Sequence, residues 1–217
     1  MSRTTTPPMA SWIKFTIIDG FAAVISYVAA AFIPLPEKVG LLFAFLFGPF
    51  FMMAAFGMFF IIKSWKPSIA LYAGTIFNLV GTALVTLMLV VQQSGFAFHE
   101  QFKSEPKPGV TDEQLKWMFK EVNSVQLGMD VTWDIFISAG TFLLALSMYR
   151  HPVFGKVFSL TGMLVSLALF AFNFYSFPTP PSEAGSIDVG PFVATWYLAL
   201  TIFILIKRRK LVTVAGE

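Results

Sequence analysis

Six apolar stretches recur along this chain, each near the ~20 residues that a helix rising 1.5 Å per residue needs to cross a ~30 Å hydrocarbon layer. They lie at 13–33, 41–62, 68–91, 127–149, 154–177 and 192–206. Lipid offers no partner to backbone N–H and C=O groups, so apolar segments of this length close their hydrogen bonds internally, as helices. The expected fold class is all-α: a polytopic membrane protein built as one six-transmembrane-helix bundle, a single integral domain covering residues 1–217. Charge content agrees, because only 12% of residues are charged, against about 25% in soluble domains.

Proline and charge mark the segment ends. Pro34 and Pro36 stop the first, since proline cannot continue a helix. Gly48 followed by Pro49 predicts a kink inside the second. Pro67 precedes the third and Pro191 opens the sixth, which Lys207, Arg208, Arg209 and Lys210 are expected to close. The first segment, an apolar stretch after Arg3, could instead be a signal peptide, with Ala29 to Ala31 as the cleavage region. Its length and the interrupting Asp19 favour a retained helix.

Lysine and arginine set orientation. Ten of the 15 fall on one side: Arg3 and Lys14, Lys63 and Lys66, Arg150 and Lys156, and the four-residue cluster after the sixth segment. Lys38, Lys103, Lys107, Lys116 and Lys120 fall on the other. Both termini are therefore expected in the cytoplasm, with the protein in a cytoplasmic membrane of bacterial type. The basic residues flank spans, so the net charge of +3 sets topology and nucleic acid is not an expected partner.

Residues 92–126 form a long polar connection that this topology places outside. Thr111 with Gln114 makes a capping box, and Leu115, Met118, Phe119 and Val122 follow at helical spacing beside Trp117. They predict a short external amphipathic helix between helices three and four, lying on the membrane surface or over the bundle mouth, or running on into helix four. Between helices five and six the Pro178-Thr-Pro-Pro run reads as a rigid turn. Trp12, Trp65 and Trp117 are expected at the membrane interfaces.

Intramembrane carboxylates demand explanation, because an aspartate at a helix centre costs about 2.5–3.5 kcal/mol on insertion. Asp130 and Asp134 are one helical turn apart and share a face with Ser138, Thr141 and Ala145. Small and polar stripes recur as Thr75, Asn78, Thr82 and Thr86 in the third segment and as Ser159, Gly162, Ser166 and Asn173 in the fifth. Asp19, Ala22, Ser26 and Ala30 form another in the first. Such patterns first mean close helix packing. No lysine or arginine stands mid-membrane, so two nearby carboxylates are expected to share a proton or take a cation. The candidate proton- or cation-binding residues are Asp130, Asp134, Asn173, Asp19 and Asn78, with Thr195, Trp196 and Tyr197 in the same outer half. Asp19 is alternatively structural, paired with Asn78 or a hydroxyl.

Several chemistries are excluded. Without cysteine there is no thiolate site or disulfide. His99 and His151 fall outside the spans on opposite sides, so neither a haem nor a zinc centre is expected in the bundle. No mid-membrane lysine is present for a retinal Schiff base, and no nucleotide or hydrolase motif occurs. No cofactor and no metal are expected, and an enzyme is disfavoured, a lipid-acting one included. Two readings remain. One is a small proton- or ion-coupled transporter or channel-like protein, in which Asp19 and Asp134 occupy matching places of an inverted pair of three-helix halves. The other is a non-catalytic subunit or assembly factor that packs against another membrane protein or a second copy. Under either reading the lipid bilayer is its solvent.

Overall fold

A computed structural model describes residues 8–105 and 108–216. Two of the basic residues counted for orientation, Arg3 and Lys107, lie outside the described residues. The described chain is all-helical, and its six helices are each long and apolar enough to cross a membrane. They are α1 (Met9–Phe32), α2 (Glu37–Lys63), α3 (Ile69–Ser104), α4 (Asp112–Met148), α5 (Gly155–Ser176) and α6 (Gly190–Gly216). An even number of antiparallel passes puts Met9 and Gly216 at the same end of the bundle, the terminal end.

Local chemistry sets the boundaries. Ile33 is extended at φ −104° and ψ 126°, because the ring of Pro34 excludes the helical conformation from the residue before it. Ser68 caps α3, its Oγ accepting from the Leu71 N–H at 3.1 Å. Pro49 sits inside α2, which continues through it as one helix.

One expectation needs correction. Residues 92–126 do not bear a separate amphipathic helix; of the alternatives, the amphipathic segment runs on into helix four. α3 runs on to Ser104, and the Thr111–Gln114 capping box instead starts α4. Nothing between Thr111 and Met148 breaks a helix, so the amphipathic segment is the first turns of a 37-residue rod. α3, with 36 residues, extends about 54 Å. The two helices thus form a hairpin projecting ~20 Å past the spans, with Phe119 packed on Phe96 and His99. Trp117 is exposed on this projection. α6 extends beyond the expected 192–206 span at both ends, passing through Lys207 to Lys210 and continuing to Gly216. Lysine and arginine are good helix formers and end a hydrophobic span without ending a helix.

Each helix packs on the next in sequence and α6 returns to α1, closing a ring. Packing within the ring is uneven. The large apolar cluster, which includes Ile13, Ile62, Leu71, Leu144, Phe154 and Ile204, fills the terminal half. The hairpin half holds only Ile137, Leu169, Val189 and Val193 as a buried cluster. α3 and α4 come close at Gly140, where an added Cβ would stand 2.8 Å from the Asn78 backbone nitrogen, and at Gly74, where it would stand 2.8 Å from that of Leu144. α1 meets α6 at Gly20, where a Cβ would stand 2.6 Å from the Thr201 hydroxyl. Of the expected stripes, Gly162 on α5 meets Ala145 on α4, where an added Cβ would stand 2.7 Å from the Ala145 Cβ, as small residues bring helices together in membranes.

Candidate functional site

The unequal packing leaves a cavity of about 370 Å³ between α1 and α2 on one side and α4 and α6 on the other. It extends along α1 from Thr16 to Phe32, a run of about 24 Å. Its walls are mainly apolar and aromatic, and the Pro180–Pro181 segment of the α5–α6 connection contributes to its lining at the hairpin end. The rigid turn expected there is therefore part of the site. Among the described residues, no basic side chain lines the cavity.

Three carboxylates do. Asp134 is only 6% exposed and faces the cavity from α4. One of its oxygens, Oδ2, accepts from Asn173 Nδ2 at 2.8 Å. The other has no hydrogen-bond partner among the described residues. Asn173, on α5, is held by a second donation from the same nitrogen to the Leu169 carbonyl at 3.0 Å, while its buried Oδ1 is unpartnered. Asp130 lies one turn further out on the same helix face. Asp188 enters from the α5–α6 connection, where its Oδ1 accepts from the Gly190 N–H at 2.8 Å. The three acids are near enough to repel one another electrostatically, with Glu183 adding to the field at Asp130.

Tyr197 separates the cavity from the polar interior. Its hydroxyl donates to Asn78 Oδ1 at 2.6 Å and shares a 2.9 Å hydrogen bond with Thr141 Oγ1. A phenol has one proton to give, so Thr141 is the donor in the second bond. This joins α6 to α3 and α4 through one ring, whose edge contacts Phe51 of α2 with centroids 4.8 Å apart.

The five expected site residues thus divide. Asp130 and Asp134 line the cavity, Asn173 stands behind Asp134, and Asn78 stands behind Tyr197. Asp19 is apart: it is outside the cavity lining and has no hydrogen-bond partner among the described residues. The pairing of Asp19 with Asn78 does not occur, because Tyr197 and the Gly74 carbonyl take the Asn78 amide. Asp19 and Asp134 therefore do not occupy matching environments. Of the helix-six group, Tyr197 and Thr195 reach the cavity, whereas Trp196 donates its Nε1–H to the Phe158 carbonyl at 3.0 Å and packs in the terminal core.

Half of the eight stripe hydroxyls are satisfied on their own helix, while those of Ser138 and Ser159 have no partner among the described residues. Thr75, Thr82, Thr86 and Ser166 each donate to the carbonyl four residues back at 2.7–2.9 Å. They need no ligand. Among the described residues, no three of His, Asp and Glu gather closely enough to hold a metal ion.

Sequence reasoning missed Asp188, Trp133 and Tyr27 as cavity residues. Asp188 just before an apolar run reads only as a helix cap. The aromatics were lost among 26 phenylalanines and the interface tryptophans.

The histidines lie elsewhere. His151, in the α4–α5 connection at the terminal end, is 2% exposed. Its Nδ1 accepts from the Val153 N–H at 3.1 Å, which puts the proton on Nε2. Burial pushes its pKa down to about 4, so the ring is neutral at ordinary pH.

Comparison with known protein families, characterised proteins and solved structures finds no match to this chain.

Proposed function

We propose that this membrane protein is a small proton- or cation-coupled solute transporter in which Asp134 and Asp130 carry the exchangeable proton. One observation supports this above others: Asp134 is buried on a cavity wall with an amide as its hydrogen-bond partner, and among the described residues no basic one lines the cavity. A carboxylate in such a place must take up a proton or a cation when it leaves water. Asn173 provides a neutral donor that accompanies either state without fixing the charge. The other titratable groups facing the site are Asp130 on α4, Asp188 and Glu183 from the α5–α6 connection, Tyr27 on α1 and Tyr197 on α6. The cavity lining contributed by α2 and α5 contains no titratable side chain.

The cavity reaches deeper from the hairpin end than the closed terminal half allows from the other, so this arrangement fits one access state of an alternating cycle. In it, the apolar cluster around Ile13, Ile62 and Ile204 closes the terminal end. In this reading the terminal end faces the cytoplasm, a choice supported by the excess of basic residues around it.

Vesicles reconstituted with the protein and loaded with a pH-sensitive dye test the reading. An imposed gradient should drive proton flux that Asp134→Asn abolishes and Asp130→Asn weakens. Flux that survives both substitutions, or no flux with any solute, would remove the proposal. A packing subunit is the second reading, and the self-satisfied hydroxyls of Thr75, Thr82, Thr86 and Ser166 favour it. It predicts co-purification with another membrane protein and indifference to Asp134→Asn.

A further inference from the structure

The geometry points to an amphipathic organic cation as the ligand of this cavity, an ammonium or similar head at the three aspartates with an apolar body lying along α1 and α2. The inference rests on the transporter reading for its coupling, but its binding chemistry stands on separate observations.

Charge comes first. Asp130, Asp134 and Asp188 line the same cavity from α4 and the α5–α6 connection, and the 94% buried Asp134 carboxylate is held only through Oδ2, by Asn173, which leaves Oδ1 without a hydrogen-bond partner among the described residues. An anion or a neutral sugar would meet uncompensated negative charge there. A bare metal ion would need several oxygen ligands at 2–2.6 Å, and no three acidic or histidine side chains gather that closely among the described residues. A cation whose charge is spread over a larger head can satisfy separated carboxylates without direct coordination.

Shape and surface come second. Below the acids the cavity continues toward Thr16 between Phe47, Phe51 and Met58 on one side and Ile137 and Leu198 on the other. A hydrated inorganic ion gains nothing from such a wall, whereas a hydrocarbon body does, at roughly 25 cal/mol per Å² of apolar area removed from water. Its volume of about 370 Å³ falls in the range of about 300–1,000 Å³ of small-molecule sites. Tyr27 and Trp133 line the same cavity as the acids, and Tyr27 lies within the electrostatic reach of Asp130 and Asp188. Aromatic faces attract ammonium groups by ~0.5–2 kcal/mol each. In the coupled cycle one cation enters at the carboxylates and one proton leaves from them to water at the mouth, so charge balances.

Equilibrium dialysis of labelled decyltrimethylammonium against the protein in phosphatidylcholine nanodiscs tests this, with empty nanodiscs subtracted. One saturable site is expected, with decyl sulfate showing none. Asp134→Asn should weaken binding at least tenfold, and Tyr27→Leu about threefold to tenfold, with Tyr27→Phe restoring wild-type affinity. Size-exclusion profiles identical to wild type establish that each variant is folded. Equal binding by Asp134→Asn, or saturable binding of decyl sulfate, would overturn the inference. So would the absence of a saturable site in the wild type. If decyltrimethylammonium fails while proton flux remains sensitive to Asp134, the ligand class is wrong and the transporter reading stands. If the cation binds as described and flux is absent, the reverse holds.

Discussion

Removing the Tyr197 hydroxyl should loosen the bundle by an amount that its two hydrogen bonds set. Tyr197→Phe keeps the ring against Phe51 and deletes only the oxygen that joins α6 to Asn78 and Thr141. Thr141 can recover by donating to a carbonyl of its own helix, as Thr75 and Thr82 already do. Asn78 Oδ1 cannot, because the side chain is wholly buried and its amide nitrogen is committed to Gly74. A stranded acceptor costs about 1–3 kcal/mol in a protein interior. Interhelical hydrogen bonds in bilayers average only ~0.6 kcal/mol, with a maximum near 1.7, since the unfolded chain finds partners too. Two bonds lost and one acceptor stranded therefore predict about 1.5 kcal/mol, roughly a tenfold change in the unfolding equilibrium. Denaturing-detergent titration or steric trapping in bicelles measures it. Thr195→Val is the control, because the Thr195 hydroxyl is exposed and bonds only to the Pro191 carbonyl of its own helix. In the Asn78→Ala background the Tyr197→Phe effect should fall by about 1 kcal/mol. A Tyr197→Phe loss equal to that of Thr195→Val, with no such coupling, would refute the network.

The remaining expectations follow from other parts of the fold. His151 titrates near 4 when folded and near 6.5 when unfolded. Its contribution is thus full above about pH 6.5 and lost as pH falls toward 4, by at most ~3 kcal/mol. Melting curves between pH 7.5 and 4 should show that loss in the wild type and less of it in His151→Gln. Gly140→Ala should lower stability by about 1–3 kcal/mol by pushing Cβ against the Asn78 backbone. Gly128→Ala, with open space around it, should not lower the same melting temperature. Thr111→Ala should cost about 1 kcal/mol of local stability, read as faster amide exchange in the first turn of α4 with that of α5 unchanged.

How much of this was legible in the sequence depended on the range of the interaction involved. The apolar segments and their number follow from hydrophobic length, which acts locally, so the six segments correspond in order to α1 to α6, while the ends of α3, α4 and α6 lie well beyond them. Residues 92–126 misled because polarity reports what surrounds a segment, while continuity of a helix depends on caps and breakers. The Thr111 cap was visible, and of the placements it allowed, a run into helix four is the one that the unbroken sequence after it produces. The i,i+4 stripe on α4 likewise placed Asp130 and Asp134 on one face before any fold was known.

What that face looks onto was a different matter. Asn173 meeting Asp134, Tyr197 taking Asn78 away from Asp19, and Asp188 arriving from a turn are contacts between residues 39 or more positions apart or in separate segments. Water-fearing segments in lipid announce themselves one at a time, so sequence alone determined that six helices form and which faces carry polar groups. Only the closing of α6 onto α1 decided that the hairpin half would stay hollow and that three acids would share the hollow, because distance through space between distant residues is set by packing and leaves no local mark.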